Sequence, residues 1–580
     1  MKFEIRDQFY LDGAPFQIIS GAIHYFRVVP AYWRDRLEKL LAMGCNTVET
    51  YLPWNLHEPR KGSFCFEGMA DVERFVRLAQ EVGLYVILRP SPYICAEWEL
   101  GGLPAWLLAE DGMRLRISYP PFLAHVADYY RALLPRLAPL QADRGGPVIL
   151  MQLENEYGSY GTDREYLVWL RDRLREGGVT VPLITSDGAS EECLAAGTAE
   201  GVWPTCNFGS QAGERFQVLE RFAGSGPLMC TEFWIGWFDA WGNGGHITGN
   251  LEESAADLDR ILARGSVNFY MFEGGTNFGF MNGSNYYDRL TPDVTSYDYD
   301  GILTEDGRLT EKYRRYQAVI SRYREIPEVR LSSSIRRVDY GTLPVLERVD
   351  LFAALADLSQ PSYSVCPQSM ERLGQSFGYI LYRTALDTEK RMSRIRLTGA
   401  NDRAQIFVEQ KPAGTLYDRE LLEEKPMDLA FPRGAALDIL VENMGRVNFG
   451  FRLEEQRKGI DGAVLVNDRA RHGWLQYPLP LDNLDRLDFS RGWQAGLPAF
   501  YRFSFSAGEI GDTFLDFQGW GKGCAFLNGF HLGRFWEIGP QKRLYLPGPL
   551  LRPGENELIL FETEGRAGAS ISLRDAPDLG

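Results

Sequence analysis

Residues 147–153, PVILMQL, form an apolar run with no place for a solvated face, and the run stops at two carboxylates, Glu154 and Glu156. A segment buried on both faces reads as a strand of a parallel sheet, which needs helices packed over it. Strand alternation predicts Glu154 and Glu156 on one side and Asn155 on the other, unless the strand end twists. Gly158 and Gly161 loosen the chain, and Thr162–Asp163 open a helical pattern through Trp169 and Leu174. The carboxylates therefore stand at a β-to-α junction, where barrels of such units carry their catalytic groups.

The same unit recurs. Phe16–Ser20, Thr47–Tyr51, Leu84–Arg89, Val148–Leu153, Pro182–Thr185, Val202–Cys206, Leu228–Thr231 and Val267–Phe272 are candidate strands, and helical patterns such as Trp33–Met43, Asp71–Val82 and Phe122–Leu137 lie between them. This alternation predicts a (β/α)8 barrel, a TIM barrel, over residues 1–325. Polar and aromatic residues gather after the carboxyl ends of these runs: Tyr51, Asn55 and His57; Glu97 and Trp98; Glu154–Glu156; Glu232 and Trp234; Glu273 and Asn277. Core polar residues scattered at random would not favour one end of each strand.

Beyond Glu325 the pattern changes to strand-like alternation with frequent Gly, Pro and Asn-Gly punctuation. It repeats weakly. Tyr382-Arg383 and Tyr501-Arg502 are 119 residues apart (501 − 382), as are Gly414 and Gly533 (533 − 414). Two related β-sandwiches are expected at 374–485 and 486–580, after a linker or strap with β segments at 326–373. Asn528-Gly529 reads as a two-residue hairpin turn.

Composition narrows the function. Lys plus Arg is 62 and Asp plus Glu 78, a net charge of −16, which disfavours nucleic acid and anionic membranes as partners. No run approaches a membrane span, and the charged N-terminus has no apolar signal region, so a cytoplasmic location is expected. The eight cysteines include no CxxC pair and the six histidines no HExxH, so neither a metal nor another cofactor is expected. An aromatic share of 13% suits a ligand that stacks on rings.

The runs TYLPWNLHEP, YVILRPSPYICAEWELGGLPAWLL, VILMQLENEYGSYG, CTEFWIGWFDAWG, YMFEGGTNFGFMNG, TSYDYDG and FLNGFHLGRFWEIGPQKRLYLP closely resemble glycoside hydrolase family 35, the β-galactosidases, along nearly the whole chain. The resemblance implies a retaining exo-β-galactosidase whose barrel is followed by galactose-binding-like jelly-roll sandwiches. It implies Glu156 as general acid/base, Glu232 as nucleophile, and Tyr51, Cys95, Ala96, Glu97, Asn155, Tyr270 and Tyr299 as sugar contacts. One position departs from the family, since Trp234 stands where many members have Tyr.

A retaining glycosidase needs two carboxyls about 5–5.5 Å apart, one attacking the anomeric carbon and one protonating the leaving oxygen. Glu232 fits the ionised attacker, with the Tyr270 hydroxyl a candidate donor to it, and Glu156 needs a raised pKa from burial and from the charge of Glu232. Asn155 suits the sugar 2-hydroxyl. Taken singly, Tyr51, Tyr270 and Tyr299 read equally as core tyrosines and Trp241 as loop packing; Glu273, Asp298 and Asp300 read as structural. Bacterial intracellular members favour galactose β1,3-linked to N-acetylhexosamine. FWIGWFDAW accordingly predicts an aglycone wall of Trp234 and Trp237, with Phe449 a candidate to complete it. A homodimer is compatible with the resemblance. Two alternatives stay open: a retaining hydrolase of another β-glycoside, and a non-catalytic galactoside-binding protein, which would have no need of both carboxylates.

Overall fold

A computed structural model describes residues 1–332, 334–387 and 390–580. Eight parallel strands close into a barrel in sequence order: β1 (Ile19–Ile23), β2 (Thr47–Tyr51), β3 (Tyr85–Arg89), β4 (Val148–Gln152), β5 (Leu183–Gly188), β6 (Trp203–Phe208), β7 (Met229–Trp234) and β8 (Ser266–Glu273). All eight predicted runs are strands. The first lies three residues later than expected, because Phe16 and Ile18 pack with Phe3, Phe9, Ile149 and Ile184 beneath the barrel, where a short N-terminal sheet covers its end. Among the helices around it, Trp33–Met43 and Val72–Val82 end on left-handed glycines, Gly44 and Gly83, that close the last turn. Asp71 and Asp163 cap the helices at Val72–Val82 and Arg164–Glu176 by accepting from Arg74 N and Tyr166 N.

The C-terminal region is built on β-sheets, as its alternation implies, with a short α-helix at Leu351–Leu358. One six-stranded sheet contains Tyr379–Leu386, Ala435–Glu442, Arg403–Val408 and Lys411–Tyr417 as adjacent strands, and a five-stranded sheet contains Ala499–Ala507, Gly554–Glu562, Lys522–Leu527 and Phe530–Trp536 in the same order. The sequence repeat is thus a repeat of strand order. Even the irregularities coincide: Gly414 faces Ile406 and Gly533 faces Ala525, each beside a register shift in its hairpin. Asn528 and Gly529, both at positive φ, make the two-residue turn of the second hairpin. The segment 326–373 supplies edge strands to these sheets, Glu347–Asp350 beside Ala499–Ala507 and Ser362–Ser364 beside Trp474–Leu479.

Both all-β units grip the barrel. Arg446 pairs with Glu99 of the barrel and with Glu371, all three fully buried. Arg534 donates from Nε to Asn282 Oδ1 at 2.8 Å, and Tyr32 donates to Asp512 Oδ1 at 2.6 Å. Phe280 of the barrel packs in a core shared with Tyr379, Phe526 and Phe561. Among the described residues no helix is long and apolar enough to cross a membrane.

Candidate active site

Glu232 stands near the carboxyl end of β7, 5% exposed, with donors on both oxygens. Oε1 accepts from the Tyr51 hydroxyl at 2.6 Å and from Arg89 Nη2 at 2.8 Å; Oε2 accepts from Trp234 Nε1 at 3.1 Å. Tyr51 ends β2 and Arg89 ends β3, so three strand ends converge on one carboxylate. The guanidinium also lies 4.1 Å over the Tyr51 ring, and Arg89 Nη2 reaches Asn155 Oδ1 and Ser186 Oγ. Burial of Arg89 opposes its charge, yet its acidic neighbours push its pKa up.

The predicted role of Tyr270 as donor to Glu232 is corrected by this geometry. The Tyr297 hydroxyl gives its single proton to Glu97 Oε2 at 2.5 Å, so the Tyr270 hydroxyl, 3.0 Å away, donates to Tyr297. Tyr51 makes the contact expected of Tyr270. The side assignment after β4 is corrected too. The strand ends at Gln152, and Glu154 and Glu156 both take positive φ, which breaks the alternation. Glu154 turns away into a bidentate pair with Arg116 (3.0 and 2.8 Å) and accepts from Tyr166 at 3.0 Å, while Asn155 and Glu156 face the mouth.

Glu156 is half-buried and accepts from Asn207 Nδ2 at 3.1 Å. Desolvation, then the charge of Glu232, pushes its carboxyl up to about 8, against the Asn207 hydrogen bond. One carboxyl is gripped by three donors while burial and the neighbouring charge favour the protonated form of the other, an arrangement suited to acid-assisted nucleophilic displacement.

Cys95, Ala96 and Glu97 are three successive residues at positive φ, a strained loop after β3. Arg27 holds it by donating from Nη2 to Ala96 O at 2.5 Å, with its guanidinium 3.7 Å over the Tyr297 ring. Burial pushes Glu97 up to about 7, with the Tyr297 hydroxyl and Arg27 opposing. Asn448 reaches in from the first sandwich, its Nδ2 3.7 Å from Cys95 Sγ, and the Tyr93 hydroxyl donates to Asn448 O at 2.6 Å. Tyr299 stands edge-on to Tyr270 at 5.3 Å. Trp237, 40% exposed, stands edge-on to Trp234 at 6.1 Å, whereas Trp241 is buried beside Trp536. Phe449, 37% exposed, follows Asn448.

Glu273 pairs with Arg36, Asp300 with Lys312 and Asp298 with His246, away from the carboxyl pair. All eight cysteines are free thiols, and no group of His, Cys, Asp and Glu among the described residues is placed to hold a metal. Arg89, Asn207 and Asn448 were not predicted. Arg89 ends its strand, the position that drew attention to Tyr51, and Asn207 comes one residue before the end of β6, just past the predicted run; Asn448 lies far along the chain and left no local signal.

The model of glycosyl hydrolases family 35 matches residues 8–323; that of the β-galactosidase first all-beta domain matches 367–480, and that of the β-galactosidase galactose-binding domain 498–556. The chain is 43% identical to β-galactosidase-1-like protein 2 of Homo sapiens, covering 99% of this chain and 91% of that one. It is 42% identical to a β-galactosidase of Xanthomonas manihotis (93% and 90% covered) and 42% identical to that of Mus musculus (96% and 91%).

Proposed function

From the premise that the chain belongs to glycosyl hydrolases family 35 and is a glycoside hydrolase, we propose that it is a retaining exo-β-galactosidase preferring galactose β1,3-linked to N-acetylhexosamine. The observation that carries the reading is the contrast between Glu232, held by Tyr51, Arg89 and Trp234, and Glu156, pushed up to about 8 by burial and by its neighbour's charge.

Glu232 attacks the anomeric carbon while Glu156 gives its proton to the leaving oxygen, producing a glycosyl ester. With Glu232 neutralised, Glu156 loses the like charge that held its proton and acts as base toward water. Asn155 meets the 2-hydroxyl, and Glu97, the backbone of Cys95 and Ala96, Tyr270 and Tyr299 meet the rest of the ring. The free enzyme pre-orders these groups, as the Tyr51–Asn155 and Tyr297–Glu97 contacts illustrate.

The linkage preference is supported by the perpendicular Trp234–Trp237 pair, whose first ring donates to Glu232 and so stands beside the reacting carboxylate. Flat rings fixed at right angles admit one aglycone geometry and clash with others. Trp234 holds Glu232 as well as the aglycone, so Trp237 is the cleaner probe. Wild type is expected to cleave galactosyl-β1,3-N-acetylglucosamine faster than its β1,4 isomer, and Trp237→Ala to reduce that ratio. Equal rates on wild type would remove the linkage preference. Nitrophenyl β-glucoside or β-mannoside cleaved better than the galactoside would remove the sugar assignment.

A further inference from the structure

Glu49 is a buried carboxyl with no role in the double displacement. It lies on β2 two residues before Tyr51, so strand alternation aims both into the barrel, Glu49 one layer deeper. It is 2% exposed. Arg89 Nε lies 3.3 Å from Glu49 Oε1 while Nη2 of the same guanidinium lies 2.8 Å from Glu232 Oε1. Asn268 Nδ2, from β8, is 3.4 Å from Glu49 Oε2. The titratable groups facing Glu49 are Arg89 from β3, Glu232 from β7 and Tyr51 from its own strand. Burial pushes Glu49 up to about 7, with Arg89 opposing and Glu232 reinforcing. One guanidinium thus lies between two carboxyls, only one of which is positioned to become an ester.

The asymmetry matters in the first half-reaction. A Glu232 oxygen bonds the anomeric carbon, the bond from that carbon to the aglycone oxygen breaks, and the proton of Glu156 goes to the leaving oxygen. Glu232 is then a neutral ester and Arg89 remains a buried cation, a state strongly unfavourable without a partner. We propose that Glu49 is a positioning residue whose carboxylate remains as the counter-charge of Arg89 while Glu232 is esterified. In the second half-reaction water attacks the anomeric carbon, Glu156 takes the water proton, and Glu232 returns as a carboxylate beside Arg89. The inference rests on the retaining reading above.

Full-length wild type, Glu49→Gln and Glu49→Asp separate the two halves. The kcat/KM of nitrophenyl β-galactoside reads formation of the ester; a 2-deoxy-2-fluorogalactosyl adduct, located by peptide mass and followed as it reactivates in buffer, reads its breakdown. Glu49→Gln is expected to lose about 10- to 100-fold in kcat/KM, as removal of one partner of a buried pair implies. Its adduct on Glu232 is expected to hydrolyse at the wild-type rate or faster, because breakdown restores the Arg89–Glu232 pair. Glu49→Asp is expected to recover most of the loss. Equal losses in both halves, as a merely structural role would give, or no loss in either, would overturn the proposal. If Glu49→Gln does not fold, Glu49→Asp decides: the part of the loss that it does not recover is expected in kcat/KM and not in adduct hydrolysis, and an equal residual loss in both would overturn the proposal. A wild-type adduct on a residue other than Glu232 would overturn the retaining assignment itself, and the proposal with it.

Discussion

Asn207→Ala is expected to keep the enzyme active further into alkali. Asn207, the penultimate residue of β6, donates to Glu156 Oε1 at 3.1 Å, and a donor to the charged form of an acid lowers its pKa, so removing it raises the pKa. Hydrogen bonds to charged groups contribute about 1.5–3 kcal/mol. The length is at the long end of the N–H···O range and Glu156 is half-buried, so the lower figure applies. At about 1.4 kcal/mol per pH unit that is roughly one unit. Glu156 works as an acid only while protonated, so the alkaline limb of kcat/KM, set near its value of about 8, moves up toward about 9. The assay is kcat/KM against pH with phenyl β-galactoside, whose poor leaving group requires the acid. A limb that moves down, or stays in place in a folded variant, would refute the account of how Glu156 is held.

Two further outcomes test the carboxylates separately. Glu232→Gly with azide is expected to yield α-galactosyl azide and Glu156→Ala with azide and a good leaving group the β-azide; product anomers measured by NMR in the opposite pattern would reverse the roles. Glu154→Gln leaves Arg116 charged where both partners are 1% exposed, and is expected to cost about 3 kcal/mol or more of barrel stability, read as a lower denaturant midpoint.

The barrel was legible because strands of a closed parallel sheet are buried on both faces, which leaves continuous apolar runs such as Val148–Gln152. The repeat in the all-β region was legible through Tyr382 and Tyr501, which occupy equivalent strands. The site was legible in its residue types and less so in its contacts. Tyr51 and Tyr270 are equivalent by local sequence, and which one reaches Glu232 depends on how separate strands converge around the barrel. The turn after Gln152 separates Glu154 from Glu156 through backbone angles that a carboxylate pattern does not reveal. Arg89 looked like the polar end of an apolar run, and its position between Glu49 and Glu232 is a property of three strands together.

The strained Cys95–Glu97 loop is braced by Asn448, a residue that follows the barrel by more than a hundred positions. The sugar pocket is therefore complete only when the first sandwich, which carries Asn448, is docked on the barrel. Release of galactose is therefore a report on assembly of the chain through its first sandwich, and substitutions in that sandwich that leave the carboxyl pair untouched will register as lost turnover.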